Sequence, residues 1–364
     1  MNQHGSSVTS ALHKLVAGQV ARAGGWLPFD RYMALALYAP GLGYYANTSR
    51  KFGGLPSSGS DFVTAPEMSP LFGRTLAVQL AEALDRTGTD ELWEFGAGSG
   101  ALARELLACL GDRIRRYTIV ELSASLRERQ RATLQPWPDR VQWASEWPQT
   151  VRGVVVGNEV LDAMPVKLLA RQGGNWHERG LRVDDGRLAW EDRATELRPP
   201  IEPEGAQDYL TEIHPQAEAF VRSLAERLEA GAAFFIDYGF PEAEYYHAQR
   251  HMGTLMCHRG HLADPDPLEA PGEKDITAHV NFTGIAVAAQ EAGMLTLGYT
   301  TQGRFLLNAG LAKLLETALQ KERIAAQRLV AEHEMGELFK VIAFHRGPFW
   351  DALGFRSGDR THTL

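Results

Sequence analysis

Glu94-Phe95-Gly96-Ala97-Gly98-Ser99-Gly100 is the stretch whose residue types and spacing say most about chemistry. Leu92 to Phe95 is a short apolar run of strand type, and Ala101 to Leu110 is a strong helix former with leucines at helical spacing. The glycines therefore fall at a strand-to-helix turn, where they allow positive φ and let the backbone approach a ligand closely. Such a turn suits a nucleotide-like cofactor. Gly96, Gly98 and Ala101 also match the dinucleotide spacing, so the glycines alone do not choose between cofactors. Glu94 tips the choice by its sign. A dinucleotide sets a pyrophosphate at the helix N-terminus, and a carboxylate two residues before the first glycine opposes that anion. S-adenosylmethionine has no phosphate; it carries an ammonium and a sulfonium, which a carboxylate attracts. A second acid serves either cofactor. Tyr117 to Glu121 reads as the next strand, and Glu121, 21 residues past Gly100, is placed to accept hydrogen bonds from ribose hydroxyls. The plainer use of Glu121 is to cap the helix that follows.

Two further strand ends carry acids. A valine run feeds into Gly157-Asn158-Glu159-Val160-Leu161-Asp162-Ala163-Met164-Pro165, and a second hydrophobic strand ends in Asp237-Tyr238-Gly239. If a short helical turn follows Asn158, Glu159 and Asp162 share one face. Two carboxylates so placed could hold a guanidinium, since planar bidentate pairing fixes its orientation. Arginine is protonated in water, so a site that uses it as a nucleophile must supply negative charge or a proton acceptor. The alternative is that Asn158 and Asp162 are helix-cap residues with no ligand. His247, His251, His258 and His261 invite a metal reading, but their spacings of four, seven and three bring no cysteine or dense carboxylate set, and Ala248-Gln249 stand where a zinc helix carries its glutamate. No metal is expected. His279 is a candidate base, although a structural hydrogen bond is the commoner use.

The elements that must position these residues follow from periodicity. Residues 91–165 alternate strand and helix: strands at 91–95, 117–121, 140–143 and 153–157, helices at 101–110 and 123–133. This rhythm predicts a parallel sheet with helices on both faces. Residues 1–75 form an N-terminal region of two helical stretches, the first amphipathic through Leu12, Leu15, Val16 and Val20, and then a loop rich in Gly, Pro and Ser from Phe52 to Pro56 and on to Pro70. Residues 76–364 form the main domain, its first helix over 71–84. Two insertions interrupt it. One, near 166–212, alternates apolar and polar residues between turn signals at Gly173-Gly174 and Asp184-Asp185-Gly186 and reads as a small antiparallel sheet. The other, near 240–280, is loop-rich. Helices are expected near 214–229, 284–292 and 303–333, a buried strand at 233–237 and a last strand at 338–344.

Composition narrows the classes. The chain has 364 residues, 44% hydrophobic and 23% charged, as in a soluble globular protein. A net charge of −8 without a long basic run makes nucleic acid a poor partner. No apolar run reaches transmembrane length, and the first 25 residues lack a signal-peptide core, so no membrane insertion is expected. Cys109 and Cys257 are too few and too far apart for a disulfide framework; Cys109, among leucines, reads as a buried thiol, and a reducing, cytoplasmic setting fits.

Several segments together carry a resemblance. They are Tyr32-Met33, Leu37-Tyr38-Ala39-Pro40, Gly43-Tyr44-Tyr45, Asp61 to Ser69, the glycine turn, Gly157 to Pro165, Asp237-Tyr238-Gly239, Asp275 to Phe282, Thr301-Gln302-Gly303 and Met335 to Lys340. With these, the chain resembles the MidA-like methyltransferases, whose mitochondrial relatives are arginine methyltransferases acting in complex I assembly. Thr64-Ala65-Pro66-Glu67 and Asn158-Glu159-x-x-Asp162-Ala163-x-Pro165 are its most specific parts. The resemblance implies an α/β, Rossmann-like class I methyltransferase fold, with a seven-stranded, mostly parallel sheet and an antiparallel edge strand. It implies S-adenosyl-L-methionine as cofactor. Its substrate would be a protein arginine, dimethylated symmetrically, on a respiratory complex I subunit. Asn281 stands where relatives carry an acid, and Ala39 where aspartate is common. On this reading Gly96, Gly98 and Gly100 cradle the cofactor, Glu94 lies near its methionine end and Glu121 on its ribose. Thr64 and Glu67 close over it, and Asn158, Glu159 and Asp162 orient the guanidinium. Two other readings stay open: a non-catalytic assembly protein that keeps the fold, and a nucleotide-dependent oxidoreductase.

Overall fold

The computed structural model describes residues 3–47, 63–259 and 262–364. The loop expected at Phe52–Pro56, the Asp61-Phe62 part of the resemblance and His261 lie outside these residues. Seven strands make the main path of the central sheet: β1 (Glu91–Phe95), β2 (Arg116–Val120), β3 (Val141–Ala144), β4 (Val151–Asn158), β5 (Leu228–Phe240), β6 (Leu295–Thr301) and β7 (Phe339–Arg346); an eighth, Val280–Asn281, pairs in parallel with the end of β5. Their order is 3-2-1-4-5-7-6. β1 pairs in parallel with β2 and β4, β2 with β3, and β4 with β5, whereas β7 runs antiparallel to both β5 and β6. The fold class is the one the resemblance implies, with one correction. The antiparallel strand is not at the edge; β7 slots between β5 and β6, and β6 forms the edge.

Strands buried on both faces read as continuous apolar runs, and alternate side chains enter two cores. Leu92, Val154, Val156, Phe234, Ile236, Val341 and Ala343 join the helices Pro70–Thr87 and Ala101–Leu110 on one face. Trp93, Phe95, Val155, Phe235, Ile342 and Phe344 join the helices Pro215–Arg227 and Phe282–Glu291 on the other. The helix Pro70–Thr87 has local reasons for its limits. Ser69 Oγ accepts the Leu71 N–H, Pro70 occupies the first turn, and Gly88 ends it in the left-handed region.

The first insertion folds as two hairpins, Lys167–Gln172 with Asn175–Asp184 and the latter with Arg187–Ala194. Both tight turns put positive φ at their two central residues, Gly173-Gly174 and Asp185-Gly186, which matches the right-handed twist of the strands. Tyr209–Ile213 pairs with Lys167–Gln172, and Leu27–Pro28 pairs with the strand 175–184, so the N-terminal region joins the insertion sheet. There Val16, Val20, Phe29, Tyr32, Met33 and Leu37 meet Leu168, Leu181, Cys257 and Ile276 in a separate apolar cluster.

Residues 240–280 are rich in loop, as expected, and also hold a small antiparallel sheet of Met256–Arg259, Leu262–Asp264 and Asp275–Thr277. Two expectations are corrected. The helix expected at 303–333 is three helices, Gln302–Asn308, Leu311–Thr317 and Gln320–Val330, broken at Gly310 and at the extended residues Ala318 and Leu319. Cys109 is exposed, because its helix turns that position to solvent, while Cys257 is buried. Among the described residues no helix is long and apolar enough to cross a membrane.

Candidate active site

A cavity of about 1040 Å³ opens over the carboxyl ends of β1, β2, β4 and β5. That is where open α/β sheets bind ligands, because loops diverge at the switch in strand order. Glu94, Gly96, Gly98, Glu121, Thr64, Glu67, Asn158, Glu159 and Asp162 all line it. Gly100 does not. It closes the turn, at φ 84, with its N–H on the Ala97 carbonyl at 2.7 Å, and starts the helix.

At the first end of the cavity the backbone must pass close to whatever binds. Gly96 sits at φ 67, and a Cβ there would lie 2.8 Å from Val160 Cγ2. Gln130, fully buried, organises this end. Its Nε2 donates to the Gly98 carbonyl at 3.0 Å and to Glu121 Oε2 at 3.1 Å, and Trp143 Nε1 donates to its Oε1. Ser123 N–H donates to Glu121 Oε1 at 2.8 Å. So Glu121 does cap the following segment, and it also faces the cavity. Burial raises its pKa, against the Ser123 and Gln130 donors and Arg127. Glu94 accepts the Tyr117 hydroxyl at 2.7 Å. Burial pushes its carboxyl up to about 7; the Tyr117 hydrogen bond opposes this and the Glu121 charge adds to it. Phe95, Trp147 and Phe220 form an aromatic cluster, with centroids 5.0–5.1 Å apart, beside Leu122 and Leu126. These side chains make an apolar wall at this end of the cavity.

Thr64 precedes the short helix Ala65–Met68. Glu67 accepts the Ser99 hydroxyl from the glycine turn. The Ala65 N–H donates to the Glu159 carboxylate. One short segment therefore ties the glycine turn to the second group of acids.

That second group is built by a turn, not by the short helix expected. Glu159 sits at φ 53, in the left-handed region. Glu159 and Asp162 are brought together because the chain folds back after β4. Asn158 Nδ2 donates to Glu159 Oε1 at 3.0 Å, and the Tyr238 hydroxyl donates to Asp162. Among the described residues the buried Asn158 Oδ1 and Asp162 Oδ1 atoms have no hydrogen-bond partner. Burial pushes Glu159 up to about 8, with the Asp162 charge adding and Asn158 and Ala65 opposing. Burial also pushes Asp162 up to about 6, against the Tyr238 hydroxyl.

Residues that sequence reasoning passed over complete this end. The Tyr45 hydroxyl donates to Asp275 at 2.8 and 2.9 Å, and its ring stacks on Tyr38 at 5.6 Å. Met256, His258, Asp275 and Thr277 bring one face of the small sheet to the wall. Tyr38, Tyr45 and Asp275 fall inside segments of the resemblance, which was their only signal; Gln130 and Trp147 had none. His279 lines the cavity edge-on to Tyr238 and Phe240 at 5.2 Å, and burial drops its imidazole to about 4. His214 Nε2 donates to the His279 carbonyl at 2.8 Å, so that backbone is fixed. Of the loop histidines, His258 reaches the cavity, while His247 Nδ1 accepts the Gln249 N–H.

Acidic residues are gathered at both ends of the cavity. Glu67, Glu94, Glu121 and Glu146 line one end and Glu159, Asp162 and Asp275 the other, and among the described residues no Lys or Arg lines it. Such a surface repels a pyrophosphate and attracts cations.

Comparison with known proteins agrees with this geometry. Residues 75–300 match the model of a family described as S-adenosyl-L-methionine-dependent methyltransferases. A Burkholderia thailandensis protein solved bound to S-adenosyl-homocysteine is 48% identical; the match covers 100% of this chain and 99% of that one, with a TM-score of 0.96. The zebrafish (Danio rerio) protein arginine methyltransferase NDUFAF7, mitochondrial, is 27% identical over 93% of this chain and 87% of its own length. Its human (Homo sapiens) counterpart is also 27% identical, over 86% and 78%. The glycine turn, the anionic cavity and the full-length match lead to one conclusion: the chain belongs to the S-adenosyl-L-methionine-dependent methyltransferase family.

Proposed function

We propose that this enzyme methylates an arginine side chain of a protein. The observation that carries the reading is the carboxylate pair Glu159 and Asp162, with side-chain oxygens that have no partner among the described residues, in the same cavity as the glycine turn. The cofactor supplies an electrophilic methyl group on a sulfonium. Gly96 and Gly98 would hold its backbone-facing part, Glu94 its ammonium end and Glu121 its ribose, while Phe95 and Trp147 would flank the adenine. Thr64 and Glu67 would cover it, and Gly100 would keep the turn in shape. Asn158, Glu159 and Asp162 would orient the guanidinium, so that one nitrogen is presented in line and the large entropic part of the barrier is removed. Either carboxylate can take the proton that the nitrogen must lose. The relatives named as protein arginine methyltransferases support the substrate class.

For the target we infer a respiratory complex I subunit, with symmetric dimethylation as product; this rests on the family resemblance alone. Those relatives are named mitochondrial. They lend nothing to a cytoplasmic site for this chain, which rests only on its two unpaired cysteines.

Calorimetric titration tests the cofactor assignment. S-adenosylmethionine and S-adenosyl-homocysteine should saturate the protein while NADH leaves it unchanged. Glu121→Ala should weaken both adenosyl ligands by roughly tenfold to a hundredfold, the worth of hydrogen bonds to a charged group. Equal affinity in wild type and variant removes Glu121 from the ribose. Transfer of labelled methyl to arginine peptides, with none to their lysine counterparts, tests the substrate class.

A further inference from the structure

Asp237 lies in β5 near its carboxyl end and is only 1% exposed. It is absent from the cavity wall, yet it governs the turn that carries the substrate acids. Its Oδ2 accepts the backbone N–H groups of three successive residues, Val160, Leu161 and Asp162, at 3.2, 2.9 and 3.3 Å. Its Oδ1 accepts the Tyr238 N–H at 2.9 Å. Successive amides that converge on one point form a concave anion site. Here the chain supplies its own acceptor, a carboxyl whose pKa burial and the neighbouring Asp162 and Glu159 charges push up, against the Leu161 and Tyr238 amides.

Two more bonds fasten the same turn. Glu159 N–H donates to the Ile236 carbonyl at 2.8 Å, and Ala278 N–H donates to the Asp162 carbonyl at 3.0 Å. Glu159 is thereby held at φ 53, a conformation that a non-glycine residue keeps only where its surroundings enforce it. The other polar groups around Asp237 are committed elsewhere. Tyr238 donates its hydroxyl to Asp162, and Lys340, the residue opposite Asp237 on β7, turns its ammonium to the Glu337 and Leu338 carbonyls.

We propose that Asp237 is a positioning residue: it sets the shape of the Asn158–Asp162 turn and so the aim of the Glu159 and Asp162 carboxylates at the substrate. The proposal rests on the arginine reading only for what the substrate is. Asp237→Ala removes the acceptor. Asp237→Asn keeps one carbonyl oxygen for the three amides but turns an N–H₂ toward the Tyr238 N–H, where Oδ1 accepts in the wild type.

The test measures KM and kcat for an arginine peptide, calorimetric affinity for S-adenosyl-homocysteine, and crystal structures of wild type and both variants. KM should rise about three- to tenfold in Asp237→Asn and more than tenfold in Asp237→Ala, with S-adenosyl-homocysteine affinity within twofold of wild type. The two carboxylates should be displaced in the variant structures. If the alanine variant does not fold, the asparagine variant decides alone. A KM equal to wild type, or a parallel loss of S-adenosyl-homocysteine affinity, overturns the proposal. A wild type that binds S-adenosyl-homocysteine but leaves arginine peptides unmethylated defeats the arginine reading instead. The structures then judge Asp237: displaced carboxylates support its role, and superimposable ones overturn it.

Discussion

The double substitution Glu159→Gln, Asp162→Asn should lower kcat/KM for an arginine peptide by about three orders of magnitude and leave S-adenosyl-homocysteine affinity within twofold. Truncating one partner of a buried, hydrogen-bonded ion pair costs about 2–5 kcal/mol, and two partners are neutralised here. Part of that cost is binding and part is chemistry, because the same carboxylates are the groups able to take the proton from the attacking nitrogen. Amides preserve the shape of the turn: Asn158 Nδ2 and the Tyr238 hydroxyl keep an oxygen to donate to. Cofactor affinity is the control, since Glu94, Gly96 and Glu121 hang on different strand ends. Labelled-methyl transfer and calorimetry read the two quantities separately. Near wild-type turnover in the double variant would remove both residues from catalysis and return weight to a non-catalytic assembly role.

A pH profile should give the second large effect. In the free enzyme Glu159 titrates near 8 and Asp162 near 6, because burial disfavours their charges. A bound guanidinium favours the ionised forms, so peptide binding must expel whatever protons the pair holds. kcat/KM should therefore rise with pH between 6 and 8, by roughly tenfold per unit where one proton is displaced, and level off above. Stability runs the opposite way. A carboxyl whose folded value is raised above its unfolded one stabilises the fold fully below the unfolded value, near 4.5 for Glu159, and that contribution is lost as pH rises through 8. The peptide-free protein should thus melt at a lower temperature at pH 8.5 than at pH 6, and Glu159→Gln should flatten the difference. A kcat/KM that is level from pH 6 to 8 would remove Glu159 from the substrate site.

Much of this protein is legible in its order of residues. The apolar runs of β1, β2 and β4 and the leucine spacing of the helix 101–110 are local patterns, and local patterns specify elements. The glycine turn is legible for the same reason: positive φ at Gly96, Gly98 and Gly100 is demanded by a few adjacent residues. The sign of Glu94 pointed to a cationic cofactor because charge is a property of the residue itself. Where the reading failed, neighbours far along the chain decided. The small sheet at 256–277 pairs Met256 with Thr277 across a stretch that carries no strand rhythm, and β7 enters between β5 and β6 although nothing near residue 340 encodes that place.

The acids show the division most clearly. Sequence alone determined which carboxylates end the strands, and so which could face a ligand. Tertiary structure alone decided what each does. Glu121 is shared between Ser123, Gln130 and the cavity; Glu159 is aimed by a left-handed turn and by an amide 94 residues away, at Ala65; Asp237 is spent on holding that turn. The physical reason is that a carboxylate's role is set by its donors and its burial. Both depend on which distant segments fold against it, and no local pattern of residues records them.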